Sequence, residues 1–249
     1  MTAYGALAAA YDGLTYDIPY EDMLQFWEAV LDREGKKPES VLDMACGTGS
    51  LSVLLAKKGL KVLASDLSEE MLTEAADKAA ELDEPPFFIC QPMQQLALPF
   101  GVDWIVCCLD GVNYLTDPDD CREMLRRCYV NLNEGGILTF DLNSAHKLRG
   151  LDGQVWLDEN EDSYCVWRTE FDEEENICYY GMDIFTRRGK LWQRDWEEHQ
   201  QYAYSCEQME AYLREAGFTK IRFYGDLTMD APKDDTMRIF VSAVKEEMQ

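Results

Sequence analysis

The segment VLDMACGTGS, residues 41–50, restricts the fold of this chain more than any other part of the sequence. It has the pattern of a short apolar strand that runs into a two-glycine loop and then into a helix. A second strand, KVLASD, ends at Asp66, and the next helix is predicted from Ser68 to Leu82 because Ser68 can cap its free backbone amides. This order of strand, helix and strand predicts a parallel sheet covered by helices.

The alternation continues along most of the chain. Further sheet strands are predicted at FFIC (87–90), WIVCCLD (104–110), GILTFDL (136–142), Lys220–Tyr224 and Arg238–Val244. Further helices are predicted at Tyr20–Leu31, Ser50–Lys58, Asp117–Asn131 and Ser205–Ala216. The predicted fold class is therefore α/β, with a Rossmann-like, seven-stranded, mostly parallel sheet flanked by helices.

Residues 144–204 have a different character, because aromatic and charged residues alternate in stretches separated by the turn-like DEEEN and RRGK. Three strands are predicted there, at 163–171, 177–188 and 191–204. They form an antiparallel β meander inserted after the fifth strand. Alternation in the last strand places Trp192 and Trp196 on one face and Glu197 and His199 on the other. One of these faces is expected to roof a ligand site.

Gly47 and Gly49 lie at the carboxyl end of the first predicted strand, where parallel sheets bind their ligands. Without side chains, they let the backbone bend sharply and approach a ligand closely. Asp66 stands at the end of the second strand, where an acid can accept hydrogen bonds from ribose hydroxyls. Together these residues predict a ligand that contains a nucleoside.

A dinucleotide is the alternative ligand, and a nicotinamide-dependent oxidoreductase is the corresponding alternative function. The dinucleotide fingerprint requires a third glycine at position 52, where this chain has Ser52. Asp43, just before the loop, would repel a pyrophosphate and attract a cationic ligand. Both features disfavour the dinucleotide.

VLDMACGTGS resembles motif I of the class I S-adenosylmethionine-dependent methyltransferases that act on small molecules. The resemblance is close over residues 40–143, with Asp66 as the ribose-binding acid, the stretch after the third strand beside adenine, and Asp110 on the methionine side. It implies an enzyme that uses S-adenosylmethionine and no metal. The cofactor-binding residues that it implies are Tyr11, Asp43, Ala45, Cys46, Gly47, Gly49, Asp66, Leu67, Met71, Met93, Gln94, Leu109 and Asp110.

The resemblance also implies a single methyltransferase domain over residues 1–249. Residues 1–34 would form an N-terminal lid and first helix, and 38–143 the cofactor-binding core. Residues 144–204 would form the antiparallel insertion, and 205–249 the return to the core sheet. The segment YDGLTYD, residues 11–17, is similar to the opening segment of many small-molecule members, where it folds over the cofactor.

The reaction implied by the resemblance is in-line transfer of a methyl group from S-adenosylmethionine to a nitrogen, oxygen or carbon nucleophile of a small molecule. Positioning and desolvation can supply much of the rate, so a dedicated catalytic residue is not required. An amine or hydroxyl must lose a proton, and the two histidines of the chain, His199 and His146, are the candidate bases. A non-catalytic cofactor-binding protein and an RNA or protein methyltransferase are the remaining alternatives.

The net charge of −25 bears on the partners of the chain. A field of this sign repels nucleic acid and anionic membrane surfaces, so we expect a small-molecule partner, no nucleic acid and no membrane. The nine cysteines include no CxxC pair, and the N-terminal residues lack the basic region of a signal peptide. We therefore expect a reduced, cytoplasmic protein.

Overall fold

The computed structural model describes residues 18–247, and within them eleven strands form two sheets. The strands are β1 (Ser40–Met44), β2 (Lys61–Asp66), β3 (Phe87–Cys90), β4 (Val102–Cys107), β5 (Leu132–Asn143), β6 (Val155–Glu159), β7 (Ser163–Asp172), β8 (Ile177–Arg188), β9 (Leu191–Tyr202), β10 (Thr219–Gly225) and β11 (Arg238–Val244). The main sheet has the order β10-β11-β5-β4-β1-β2-β3. In it β11 runs antiparallel to both of its neighbours, and the other strands are parallel to each other. The predicted seven-stranded, mostly parallel sheet is confirmed.

Helices alternate with these strands along the chain. They are α1 (Tyr20–Arg33), α2 (Ser50–Lys57), α3 (Glu69–Ala79), α4 (Pro118–Asn131), α5 (Ala145–Gly150) and α6 (Cys206–Ala216), with short 3₁₀ turns at Met93–Gln95 and Gly111–Tyr114. Ser68 caps α3 as predicted, since its hydroxyl accepts a hydrogen bond from the Met71 amide at 3.2 Å. Between residues 18 and 247, no helix is both long and apolar enough to cross a membrane.

Two apolar layers hold the helices against the main sheet. On one face, Leu138 of β5 belongs to a buried cluster with Met124 of α4 and Leu213 of α6. On the other face, Trp27 of α1 packs against Phe240 of β11, with ring centroids 5.3 Å apart. Each fully buried large side chain contributes about 1.5–3 kcal/mol. These layers fix the ends of the parallel strands, where the candidate site lies.

The insertion contains four strands instead of the predicted three, in the order β6-β7-β8-β9. Strand β6 is the edge of this sheet, pairs with β7 and has no buried residue, so its sequence lacks the buried-face pattern by which strands are recognised. Strand β9 ends at Tyr202 and not at residue 204. Helix α5, also unpredicted, begins where the Ser144 hydroxyl accepts a hydrogen bond from the Lys147 amide at 3.0 Å.

Asn113 ties the insertion to the core. Its side-chain amide donates to the carbonyl of Asn143 at 3.1 Å and to that of Tyr202 at 2.9 Å. Its side-chain oxygen accepts from the Asn143 amide at 3.0 Å. Asn113 is fully buried, so these bonds are made away from water and are costly to lose. They hold the turn after β4 against the ends of β5 and β9.

Candidate active site

A cavity of about 300 Å³ lies at the carboxyl ends of β1, β2 and β4. Ten of the thirteen cofactor residues implied by the sequence line it, namely Asp43, Ala45, Cys46, Gly47, Asp66, Leu67, Met71, Met93, Gln94 and Leu109. Gly49 and Asp110 are not part of its lining. Tyr11 lies outside the described residues. The structure also places at the cavity several residues that sequence reasoning missed, including Ser68, Tyr114, Thr116, Asp117 and Asp120.

Gly49 serves the loop by its backbone conformation. Its φ of +73° is in the left-handed region, and a Cβ atom there would lie 2.8 Å from the Cβ of Ala75 in α3. Glycine therefore allows α2 to start in close contact with α3. Gly47 also has a positive φ, +54°, but a Cβ there would meet no atom of residues 18–247 within 4 Å.

Gly49→Ala is expected to lower the free energy of unfolding by about 2 kcal/mol more than Gly47→Ala, because only the first substitution adds a steric overlap to the backbone strain. Urea denaturation of the two variants and the wild type measures the difference. Equal losses of stability in the two variants would show that the contact with Ala75 relaxes without cost.

Asp66 is held rigidly at the cavity wall. One carboxylate oxygen accepts from the Gly47 amide at 2.8 Å and the other from the Ser68 amide at 2.9 Å. Burial raises the pKa of Asp66, and these backbone hydrogen bonds offset part of the rise. A carboxylate oriented in this way can accept further hydrogen bonds, such as those from two neighbouring hydroxyls.

Asp43 lies deeper and is only 2% exposed. The hydroxyl of Ser52 donates to its carboxylate at 2.5 Å. Burial raises the pKa of Asp43 to about 7. The hydrogen bond from Ser52 lowers this pKa, and the nearby charge of Asp66 raises it further. Ser52 is therefore more than a replacement for the third glycine of a dinucleotide site, because it is a hydrogen-bond partner of Asp43. Its position in the first turn of α2 is the sequence signal that could have revealed this role.

The opposite wall comes from the 3₁₀ turn Met93–Gln95 and the start of α4. The side-chain amide of Gln94 donates to Asp120 at 3.3 Å. The side-chain nitrogen of Gln91 is buried and has no hydrogen-bond partner among residues 18–247, while its oxygen accepts from the Ala97 amide at 3.2 Å. Gln91 thus adds a donor to this wall that a ligand can satisfy.

Asp110 stands behind the cavity, where Arg238 and Gln201 bind it. Its carboxylate lies 2.9 Å from the Arg238 guanidinium and accepts from the Gln201 amide at 2.5 Å. Asp110 and Leu109 have φ values of +55° and +59°, so the fourth strand ends at Cys107 and not at residue 110. The structure thus places the Asp110 carboxylate in a network that supports the cavity, while Leu109 lines the wall.

Asp141 holds the turn that contains Leu109 and Asp110. Its carboxylate accepts from the backbone amides of Leu109 at 2.8 Å and Asp110 at 3.0 Å, and it forms an ion pair with Arg238. Burial raises the pKa of Asp141, and Arg238 offsets part of the rise. Burial also opposes the charge of Arg238, but Asp141 and Asp110 more than compensate and hold its pKa above the ordinary value.

The structure separates the two candidate histidines. His199 of β9 is 4% exposed and lies behind Tyr114, with its Nδ1 atom 3.4 Å from the Tyr114 hydroxyl. His146 has an exposed side chain on α5 and does not line the cavity. His199 also does not line it, so Tyr114 is the residue through which His199 can act on a bound molecule.

The face of β9 that is turned inward carries Glu197, His199 and Gln201, all buried. The opposite face carries Trp192 and Trp196, which are 49% and 42% exposed. The polar face, and not the tryptophan face, therefore lies towards the cavity. Alternation predicted the two faces, and only the packing of the insertion decided which of them is turned inward.

A family model described as a methyltransferase domain matches residues 41–136. The putative methyltransferase YqeM of Bacillus subtilis (strain 168) is 33% identical over 244 residues, which cover 97% of each chain. The crystal structure of an S-adenosylmethionine-dependent methyltransferase from Clostridium acetobutylicum ATCC 824 has a TM-score of 0.87 at 29% identity, and the match covers 99% of this chain and 100% of that one.

A more distant structural match contains the cofactor. It is CalS10 with bound S-adenosylmethionine, an amino pentose methyltransferase from Micromonospora echinaspora, with a TM-score of 0.76 at 17% identity. The match covers 98% of both chains, so the likeness of fold includes the insertion as well as the main sheet.

Proposed function

Because this chain belongs to the class I S-adenosylmethionine-dependent methyltransferases, we propose that it methylates a nitrogen, oxygen or carbon nucleophile of a small molecule by in-line displacement. The chain is an enzyme, and S-adenosylmethionine is its cofactor. The observation that carries the proposal is the cavity where the motif I loop, Asp43 and Asp66 meet. When bound there, S-adenosylmethionine supplies a methyl group on a positively charged sulfur.

In this proposal the cavity residues hold the cofactor by charge and shape. Asp66 accepts hydrogen bonds from the ribose hydroxyls, and Gly47 lets the backbone approach closely. Asp43 lies on the side of the cationic methionine moiety. Leu67, Met71, Met93 and Gln94 border the adenine, and the buried amide of Gln91 is a further donor for the ring.

The charge of the cavity favours an amine as the acceptor. Asp43, Asp66, Asp117 and Asp120 line it, and in the described part of the chain no lysine, arginine or histidine side chain does. Such a lining attracts cations and repels carboxylates and phosphates. CalS10 is an amino pentose methyltransferase, and an amino pentose belongs to the same class of acceptor.

A panel of acceptors tests this function. The enzyme is incubated with S-adenosylmethionine and matched pairs of small molecules that carry either an amine, a phenol or a carboxylate, and S-adenosylhomocysteine is measured by mass spectrometry. We expect more S-adenosylhomocysteine to be released with amines than with carboxylates. Binding of S-adenosylhomocysteine without turnover for any acceptor would favour the non-catalytic alternative, and protection of the fold by NADH in a thermal melt would favour the oxidoreductase.

The affinity for S-adenosylmethionine is expected to rise about tenfold between pH 6 and pH 8. Asp43 has a pKa of about 7, and the cationic cofactor binds its ionised form, so cofactor binding releases a proton below this pH. Calorimetric titrations at pH 6, 7 and 8 measure the effect. Asp43→Asn should bind weakly and with the same affinity at all three values, and a pH-independent affinity of the wild type would contradict the role of Asp43.

A further inference from the structure

A chain of three polar side chains leads from the cavity wall into the insertion. Tyr114, in the 3₁₀ turn after β4, lines the cavity. Behind it His199 of β9 meets the Tyr114 ring edge to face, with ring centroids 5.7 Å apart and the hydroxyl 3.4 Å from Nδ1. The Nε2 atom of His199 lies 3.0 Å from the Glu197 carboxylate.

The carboxylate decides which nitrogen of His199 carries the proton. An ionised Glu197 can only accept hydrogen bonds, so Nε2 of His199 is the donor to it. Nδ1 of the neutral ring then carries the lone pair that faces the Tyr114 hydroxyl. The side chains of His199 and Glu197 are only 2% and 8% exposed, so bulk water does not compete for this arrangement.

We propose that Tyr114 is the catalytic residue that takes the proton from the methyl acceptor, and that His199 and Glu197 are positioning residues which receive and stabilise that proton; this rests on the proposed function. As the acceptor nitrogen or oxygen forms its bond to the methyl carbon, the bond from that carbon to sulfur breaks and sulfur keeps the electron pair. The proton of the acceptor moves to the oxygen of Tyr114, whose own proton moves to Nδ1 of His199. The imidazolium that results is balanced by the Glu197 carboxylate.

Two features of the site support this assignment over simple packing. A histidine paired with a buried carboxylate costs desolvation energy that an apolar pair of similar volume would avoid. The distance of 3.4 Å between Tyr114 and His199 is long for a hydrogen bond, as is common at catalytic sites before the substrate closes them. The two positioning residues come from the insertion and Tyr114 from the core, so the step requires both parts of the fold.

The hydrogen-bonded arrangement can be tested without an acceptor. The chain has two histidines, so a sample labelled with ¹⁵N in histidine gives two ring systems, and His146→Gln identifies the signals of His199. In the presence of S-adenosylhomocysteine at pH 7.5, we expect His199 to be protonated at Nε2, with an Nδ1 resonance that shifts in Tyr114→Phe. A proton on Nδ1, or an Nδ1 resonance that Tyr114→Phe does not move, would overturn the proposal.

The proton transfer itself is tested with an amine acceptor from the panel. Tyr114→Phe and His199→Gln are expected to lower kcat about 100-fold, as for loss of a general base, with KM for S-adenosylmethionine and Kd for S-adenosylhomocysteine unchanged. The matched control Tyr179→Phe removes a hydroxyl of the insertion that bonds only to Glu175 in the described structure. If the wild type turns over and Tyr114→Phe has an unchanged kcat, the proton transfer through Tyr114 is refuted and the proposed function is not. If the wild type does not turn over, the proposed function is refuted.

Discussion

Asp66→Ala is expected to weaken the binding of S-adenosylhomocysteine at least about 100-fold. A hydrogen bond to a charged group contributes about 1.5–3 kcal/mol, and the proposed ribose contact has two of them. Loss of about 3 kcal/mol corresponds to slightly more than two factors of ten in Kd. The substitution also leaves the amides of Gly47 and Ser68 without their acceptor, which loosens the loop that the cofactor needs.

Calorimetric titration measures this loss, and Asp77→Ala is the matched control. Asp77 lies on the exposed side of α3, the helix that directly follows Asp66, so its removal changes the net charge equally without touching the cavity. A thermal melt establishes that both variants are folded. A Kd for Asp66→Ala within threefold of the wild-type value would show that Asp66 caps the loop and does not hold the ribose.

Arg238→Met is expected to lower the free energy of unfolding by about 3–5 kcal/mol at pH 8. The methionine keeps much of the apolar stem but removes the guanidinium that forms ion pairs with Asp110 and with Asp141, which is fully buried. Removal of one partner of a buried ion pair leaves an uncompensated charge, and losses of this size are usual. Because the Asp141 carboxylate holds the Leu109 amide at the cavity, weaker cofactor binding is expected as well.

The loss of stability in Arg238→Met should be smaller at pH 5 than at pH 8. Burial already raises the pKa of Asp141 above its ordinary value of 3.8, and without Arg238 it rises further. Between the pKa that Asp141 has in the unfolded chain and its higher pKa in the folded variant, the folded variant binds a proton that the unfolded chain does not. Its stability relative to the wild type therefore falls as the pH rises.

Urea denaturation at pH 5 and pH 8 measures both effects. The control is Arg187→Met, which removes an exposed guanidinium from β8 and should change stability by less than about 0.5 kcal/mol. If Arg238→Met loses the same free energy of unfolding at both pH values, the buried carboxylates do not take up a proton when the guanidinium is missing.

The motif I loop and Asp66 could be found from the sequence because their signals are local. An apolar strand, two glycines and the start of a helix stand within a few residues of each other, and the carboxyl ends of neighbouring parallel strands must meet at one edge. The order of strands and helices likewise determined a parallel sheet. Strand β6 escaped prediction because an exposed edge strand has no buried face to create a pattern.

What surrounds this loop was decided by the tertiary structure. Arg238 reaches Asp141 across 97 residues of chain, and Gln201 reaches Asp110 across 91, so no spacing in the sequence announces either contact. His199 was a candidate because of its residue type and its place in the last strand of the meander, and its partner Tyr114 comes from a turn 85 residues earlier. The sheet and its glycine loop follow from the sequence alone, because strand pattern and turn chemistry act over short stretches. The tertiary structure decided the network behind the cavity, because burial and the meeting of distant strand ends exist only in the folded chain.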